Sequence, residues 1–103
     1  MNFVIDLKSK DLNEGDGVLK EPGSVKVFLH NDDFTPMAFV IEALIKFFHL
    51  DDIKAKTVTV EAHTKGRAVC GAYSREIAET RIDQASEYAR THDHPLKWSM
   101  EAN

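Results

Sequence analysis

The sequence has a single cysteine, three prolines and no apolar run long enough to cross a bilayer. Each scarcity closes off a class. Cys70 standing alone excludes an internal disulfide, and without a second cysteine or Cys/His ligand spacing neither a structural zinc site nor any other cofactor is expected. A reducing cytoplasm is the expected compartment. The opening Met1-Asn2-Phe3-Val4-Ile5-Asp6-Leu7-Lys8 is too short and too charged for a secretory h-region. Basic residues are also scarce, with 13 Lys and Arg against 17 Asp and Glu and a net charge of −4. Such a balance disfavours nucleic acid and anionic membranes and suits a cationic partner. With 103 residues there is room for one small core and not for a second, so one domain is expected, and it is read as a monomer.

Residues 1 to about 24 carry scattered charges, Gly15, Gly17, Pro22 and Gly23, and no sustained period. They bury too little to offset ordering entropy and are predicted to be a flexible arm, with the folded domain spanning residues 25–103. Val25-Lys26-Val27-Phe28-Leu29 is β-branched and aromatic, a strand. His30-Asn31-Asp32-Asp33-Phe34-Thr35-Pro36-Met37 then concentrates polar chemistry between that strand and a helix. Thr35 suits an N-cap and Pro36 the first helical position, where its missing N–H costs nothing. Met37, Val40, Ile41, Leu44, Phe47 and Phe48 recur at three- and four-residue steps, one buried face of a helix reaching His49.

The stretch from Asp51 to Gly66 reads two ways. Val58, Val60 and Ala62 alternate as a strand would. A helix also fits, capped by Asp51 or Asp52 and ended by Gly66, with Ile53, Thr57 and Val60 on one stripe and Thr59, Ala62 and His63 on the next. Propensity alone favours the strand. Arg67 to Tyr73 reads as a short buried strand. Ser74 caps a further helix with Ala78, Ile82, Ala85 and Ala89 inward, running to about His92. Asp93-His94-Pro95 breaks it, and Leu96, Trp98 and Met100 alternate as a last strand.

Asn31-Asp32-Asp33-Phe34-Thr35-Pro36-Met37, Lys46-Phe47-Phe48-His49, His63-Thr64-Lys65-Gly66, Cys70-Gly71, Arg75-Glu76-Ile77-Ala78-Glu79-Thr80 and His94-Pro95-Leu96 together closely resemble the ClpS family. These are adaptors that hand N-degron substrates to a Clp AAA+ protease. The resemblance runs from about Val25 to the C-terminus, and it decides the ambiguous stretch in favour of a helix. The expected fold is then α+β, an α/β sandwich with order β-α-α-β-α-β and a three-stranded antiparallel sheet.

In that fold Asn31, Asp33 and His63 fall near one edge of the first two helices. A primary ammonium has three donors and no acceptor, so it needs acceptors converging from several directions. A carboxamide, a carboxylate and a neutral imidazole supply them. Asp33, supported by Asp32, also reverses the positive sign of a helix N-terminus, which would repel a cation. Beside them Met37, Val40, Ile41, Leu44, Ala62 and Leu96 form apolar lining. An oily hollow with acceptors at its lip suits a free α-amino group joined to a large hydrophobic first side chain.

The resemblance implies the same assignment. Asn31, Asp33 and His63 match the family's α-amino ligands, while Met37, Val40, Thr59, Ala62 and Leu96 match its side-chain pocket, and Thr35 is expected to line the pocket with them. The implied substrates are proteins that begin with Phe, Tyr, Trp or Leu, and Met37 matches the gatekeeper that rejects β-branched residues. Thr59 and Ala62 depart from the family's usual Met and Val. Both are smaller, so a roomier pocket and altered selectivity are expected. Glu76 and Arg81, the latter in place of the usual Lys, match positions that dock the N-terminal domain of the unfoldase.

Plainer readings stand beside these. Asn-Asp-Asp before Thr-Pro is turn chemistry in most proteins, His92-Asp93-His94 is a polar loop rather than a metal site, and Cys70 is core packing. Other classes remain open on residues alone. Asp33 and His63 could belong to a small hydrolase, although no nucleophile with an oxyanion-hole motif accompanies them. The chain could also be a structural module without N-terminal recognition. Taken with the resemblance, the residues are read as a non-enzymatic, peptide-binding adaptor.

Overall fold

The computed structural model describes residues 23–103. Three strands, β1 (Ser24–His30), β2 (Arg67–Ser74) and β3 (Lys97–Ala102), alternate with three helices, α1 (Met37–Phe48), α2 (Asp52–Lys65) and α3 (Arg75–Thr91). The order is the expected β-α-α-β-α-β. The predicted arm lies outside the described residues except for Gly23 and Ser24, and Ser24 already pairs with Ser74 in the sheet.

β1 is the central strand of an antiparallel sheet in the order β2-β1-β3. Its run of Val25, Val27 and Leu29 suits the position, because a central strand is paired on both edges and has one face pressed against helices. These three residues and Ala68, Cys70 and Trp98 make the sheet's contribution to the core. The register of β1 against β2 shifts between Val27 and Phe28. Such a bulge lets Cys70 enter the core while Val69 stays outside at 39% exposure.

α3 packs with its buried residues Ala78, Ala85 and Ala89, whose small side chains allow a close approach. Ser74 caps it as expected, accepting from the Ile77 N–H at 3.3 Å. Phe48 is fully buried as predicted, whereas Phe47 is only half-buried and packs on the Tyr88 ring.

The ambiguous stretch is helical, with caps at both ends. Asp51 accepts from the Lys54 N–H at 2.7 Å, and Gly66 adopts φ +95°, a left-handed C-cap that favours glycine. Ala55, Val58, Thr59 and Ala62 form its buried face, at steps of three and four. The β-branched threonines are accommodated because Thr57, Thr59 and Thr64 donate their hydroxyl protons to carbonyls of the preceding turn. The Ile53, Thr57 and Val60 stripe faces water, with Ile53 78% exposed.

Candidate functional site

The link between β1 and α1 is fastened at several points. The Asn31 N–H donates to the Gly66 carbonyl at 2.9 Å, which ties the end of β1 to the end of α2. His63, one turn before Gly66, is thereby brought to Asn31. Asp32 braces the loop from within. One of its oxygens accepts from the Phe34 N–H at 2.9 Å and the other from the Thr35 hydroxyl.

That brace changes two expectations. Thr35 is not the cap of α1: its proton goes backward to Asp32, and Pro36 occupies the N-cap position with no side-chain bond. The Pro36 carbonyl accepts from Phe39 at 3.0 Å and Val40 at 3.2 Å. Asp32 in turn holds the loop, with both oxygens engaged, while Asp33 is the exposed carboxylate.

Asp33 has a partner of its own. The Asn31 side-chain amide donates to an Asp33 oxygen at 3.2 Å, which turns the Asn31 carbonyl oxygen away from that carboxylate. An acceptor-only oxygen is therefore left beside a carboxylate and an imidazole. α1 has no acidic residue in its first turn, so Asp32 and Asp33 supply the negative charge in front of its positive end.

Beneath these groups lies a cavity of about 160 Å³, whose lining includes Asn31, Asp32, Asp33 and His63 together with Thr35, Met37, Val40, Thr59, Ala62 and Leu96. Its chemistry is graded by depth. Asn31, Asp33 and His63 are exposed, whereas Val40, Thr59, Ala62 and Leu96 are at most 7% exposed. Met37, 44% exposed, stands between rim and floor.

Two predicted lining residues are not in the wall. Leu44 is fully buried in the core, and Ile41 packs half-buried against it. Both share the apolar stripe of α1 with Val40, but Leu44 lies about 10 Å further along the axis than Met37 and Ile41 is turned about 100° from Val40. Leu29 and His30 line the cavity and were not predicted. His30 is the last residue of β1, joined through Nε2 to Ser99 Oγ at 2.6 Å. Its place directly before Asn31 was the only signal for it.

Glu76 and Arg81 lie elsewhere, in a wider groove of about 800 Å³ between α1 and α3 that also takes in Phe47, Ile77 and Tyr88. It is an open trough, and none of Asn31, Asp33 and His63 lines it. His92 and His94 pack on the Phe39 ring, and no cluster suited to a metal ion occurs among the described residues. Nor is any described helix long and apolar enough to cross a membrane.

Residues 20–99 match the family model described as "ATP-dependent Clp protease adaptor protein ClpS". The chain belongs to the ClpS family. A ClpS adapter of Hydrogenovibrio crunogenus is 51% identical over 83 residues, covering 81% of this chain and 80% of the relative. One from Vibrio atlanticus is 51% identical over 101 residues, covering 97% and 95%. Among solved structures, Agrobacterium tumefaciens ClpS2 bound to L-phenylalaninamide superposes with a TM-score of 0.77 at 34% identity, covering 81% of this chain and all of that one. The ClpS fold thus accounts for the whole described architecture. ClpS is a family of protease adaptors, and the resemblance seen in the motifs is a family relationship.

Proposed function

We propose that this chain captures proteins by a free N-terminal amine and a bulky hydrophobic first residue, Phe, Tyr, Trp or Leu, and delivers them to a Clp unfoldase. The observation that carries the reading is the depth gradient of the cavity: the Asn31 oxygen, Asp33 and His63 at the lip, apolar side chains below. The solved relative that superposes on this chain was bound to the amide of an aromatic amino acid, a ligand with both features.

The cavity volume suits such a guest. An apolar cavity of about 150 Å³ in another protein holds benzene. Burying a large side chain contributes roughly 1.5–3 kcal/mol, and each hydrogen bond to the ammonium about 1.5–3 kcal/mol. Association costs at least about 4 kcal/mol. The balance leaves affinity on the order of micromolar or weaker, which suits an adaptor that must release its cargo.

Glu76 and Arg81 are assigned to docking the N-terminal domain of the unfoldase along the α1/α3 groove. Arg81 lies 5.1 Å from the centre of the Tyr73 ring, so its guanidinium is held at the groove rather than swinging free. Charges at such a rim tune encounter more than final affinity. The chain acts as a monomer in the cytoplasm, performs no chemistry on its cargo and needs no cofactor.

The test is a fluorescence-polarisation panel of peptides that differ only at residue one, each with a free and an acetylated amine. Free Phe, Tyr, Trp and Leu peptides should bind and be recovered uncut. Equal binding of the acetylated forms would overturn the reading.

A further inference from the structure

The cavity wall carries two hydroxyls, and both have given away their protons. Thr59 donates to the Ala55 carbonyl at 2.8 Å, and Thr35 donates to Asp32. Both are buried, at 4% and 7% exposure. A hydroxyl that has donated still has lone pairs and accepts. Their neighbours Val40, Ala62 and Leu96 are hydrocarbon. These two oxygens therefore offer a guest acceptors set among hydrocarbon.

Position decides which hydroxyl a guest meets. Thr59 is four residues before His63 on α2, so the two share a face and lie one turn, about 6 Å, apart. A guest whose amine is held near His63 has its first side chain descending toward Thr59. Thr35 sits behind the Asp32 brace, nearer the loop.

Resting on the amine-recognition reading above, we propose that Thr59 makes this cavity selective for a first residue whose ring carries a hydrogen-bond donor. Tyrosine and tryptophan are that class, and phenylalanine and leucine are not. A phenol or indole brings a proton to the Thr59 oxygen, whereas a phenyl or isobutyl group covers that oxygen with hydrocarbon. A polar site discriminates against a guest that cannot pair with it more sharply than an oily one discriminates by shape. A thioether or alkyl group at position 59 would remove this preference.

Tyr and Phe peptides differ only in the hydroxyl, so the ratio of their dissociation constants is the readout. On the unsubstituted chain the Tyr peptide should bind tighter by about three- to tenfold, the range expected of one neutral hydrogen bond. Thr59→Val keeps the side-chain shape and should bring that ratio to one or below, whereas Thr59→Ser should retain it. A ratio at or below one on the unsubstituted chain overturns the proposal, as does a ratio unmoved by Thr59→Val. Circular dichroism of each variant establishes that it is folded. Loss of the free-amine requirement would instead overturn the underlying reading, and the acetylated peptides report it separately.

Discussion

The Asn31 side-chain amide donates to Asp33 across 3.2 Å, and that one contact orients both of these groups, which the proposed function assigns to the ammonium. Neither should act alone. Asn31→Ala and Asp33→Ala are each expected to weaken binding of a free Phe peptide by more than about tenfold, since each removes a hydrogen bond to a charged group. Because either change also releases the other side chain, the double variant should lose less than the product of the single losses. Isothermal titration calorimetry on all four proteins measures the coupling, and full additivity would show that the contact orients nothing.

His63 is assigned an acceptor's role toward the ammonium, so a fixed positive charge in its place should weaken capture. His63→Lys removes the acceptor and places a cation beside a cation, and the affinity for a free Phe peptide should fall by more than about tenfold. His63→Gln keeps a neutral acceptor and should lose less. Fluorescence polarisation with the same peptide measures both, and equal losses would argue that His63 does not face the amine.

The braced loop makes an unequal pair of variants. Asp32→Ala deprives the Phe34 N–H and the buried Thr35 hydroxyl of their shared acceptor, and a stranded buried donor costs about 1–3 kcal/mol. Thr35→Val removes a donor and leaves Asp32 its second partner and access to water. In urea unfolding, Asp32→Ala should therefore lower stability more than Thr35→Val. Adding Thr35→Val to Asp32→Ala should recover part of the loss, and a simple sum of the two would argue against the brace.

The sequence drew attention to this loop because two carboxylates, a carboxamide and a Thr-Pro step crowd between a strand and a helix, although such a run is turn chemistry in most proteins, and it misled at Thr35. Local rules reward a hydroxyl before a helix. They do not register an upstream carboxylate, Asp32, competing for the same proton. On α1 the periodicity found the buried face, but a face has length. Leu44 and Val40 share a stripe, and only the packing of α2 and of Leu96 against the first turn decides that Val40 meets the cavity while Leu44 meets the core. α2 was illegible from propensity because its threonines look like strand residues until their hydroxyls are paired within the helix.

High pH should open the fold from inside the core. Burial pushes the Cys70 thiol up to about 12, with the neighbouring Trp98 indole offsetting only part of it. Burial also raises the Tyr73 phenol to about 12, although Arg81 beside it pulls the other way. Both groups are acids whose folded pKa exceeds the unfolded value, 9.0 for the thiol and 10.0 for the phenol. Their contribution is thus fully present below pH 9 and drains away up to about pH 12, as the unfolded chain sheds protons that the native one retains. Each group costs up to about 1.4 kcal/mol per pH unit in that window. Lysines titrate there too, so the informative quantity is a difference. Tyr73→Phe, which removes one of the two acids with little change of shape, should lose about 1 kcal/mol less than the unsubstituted chain between pH 8 and 11 in urea unfolding. Equal losses would mean that the phenol ionises in the folded state as readily as in water.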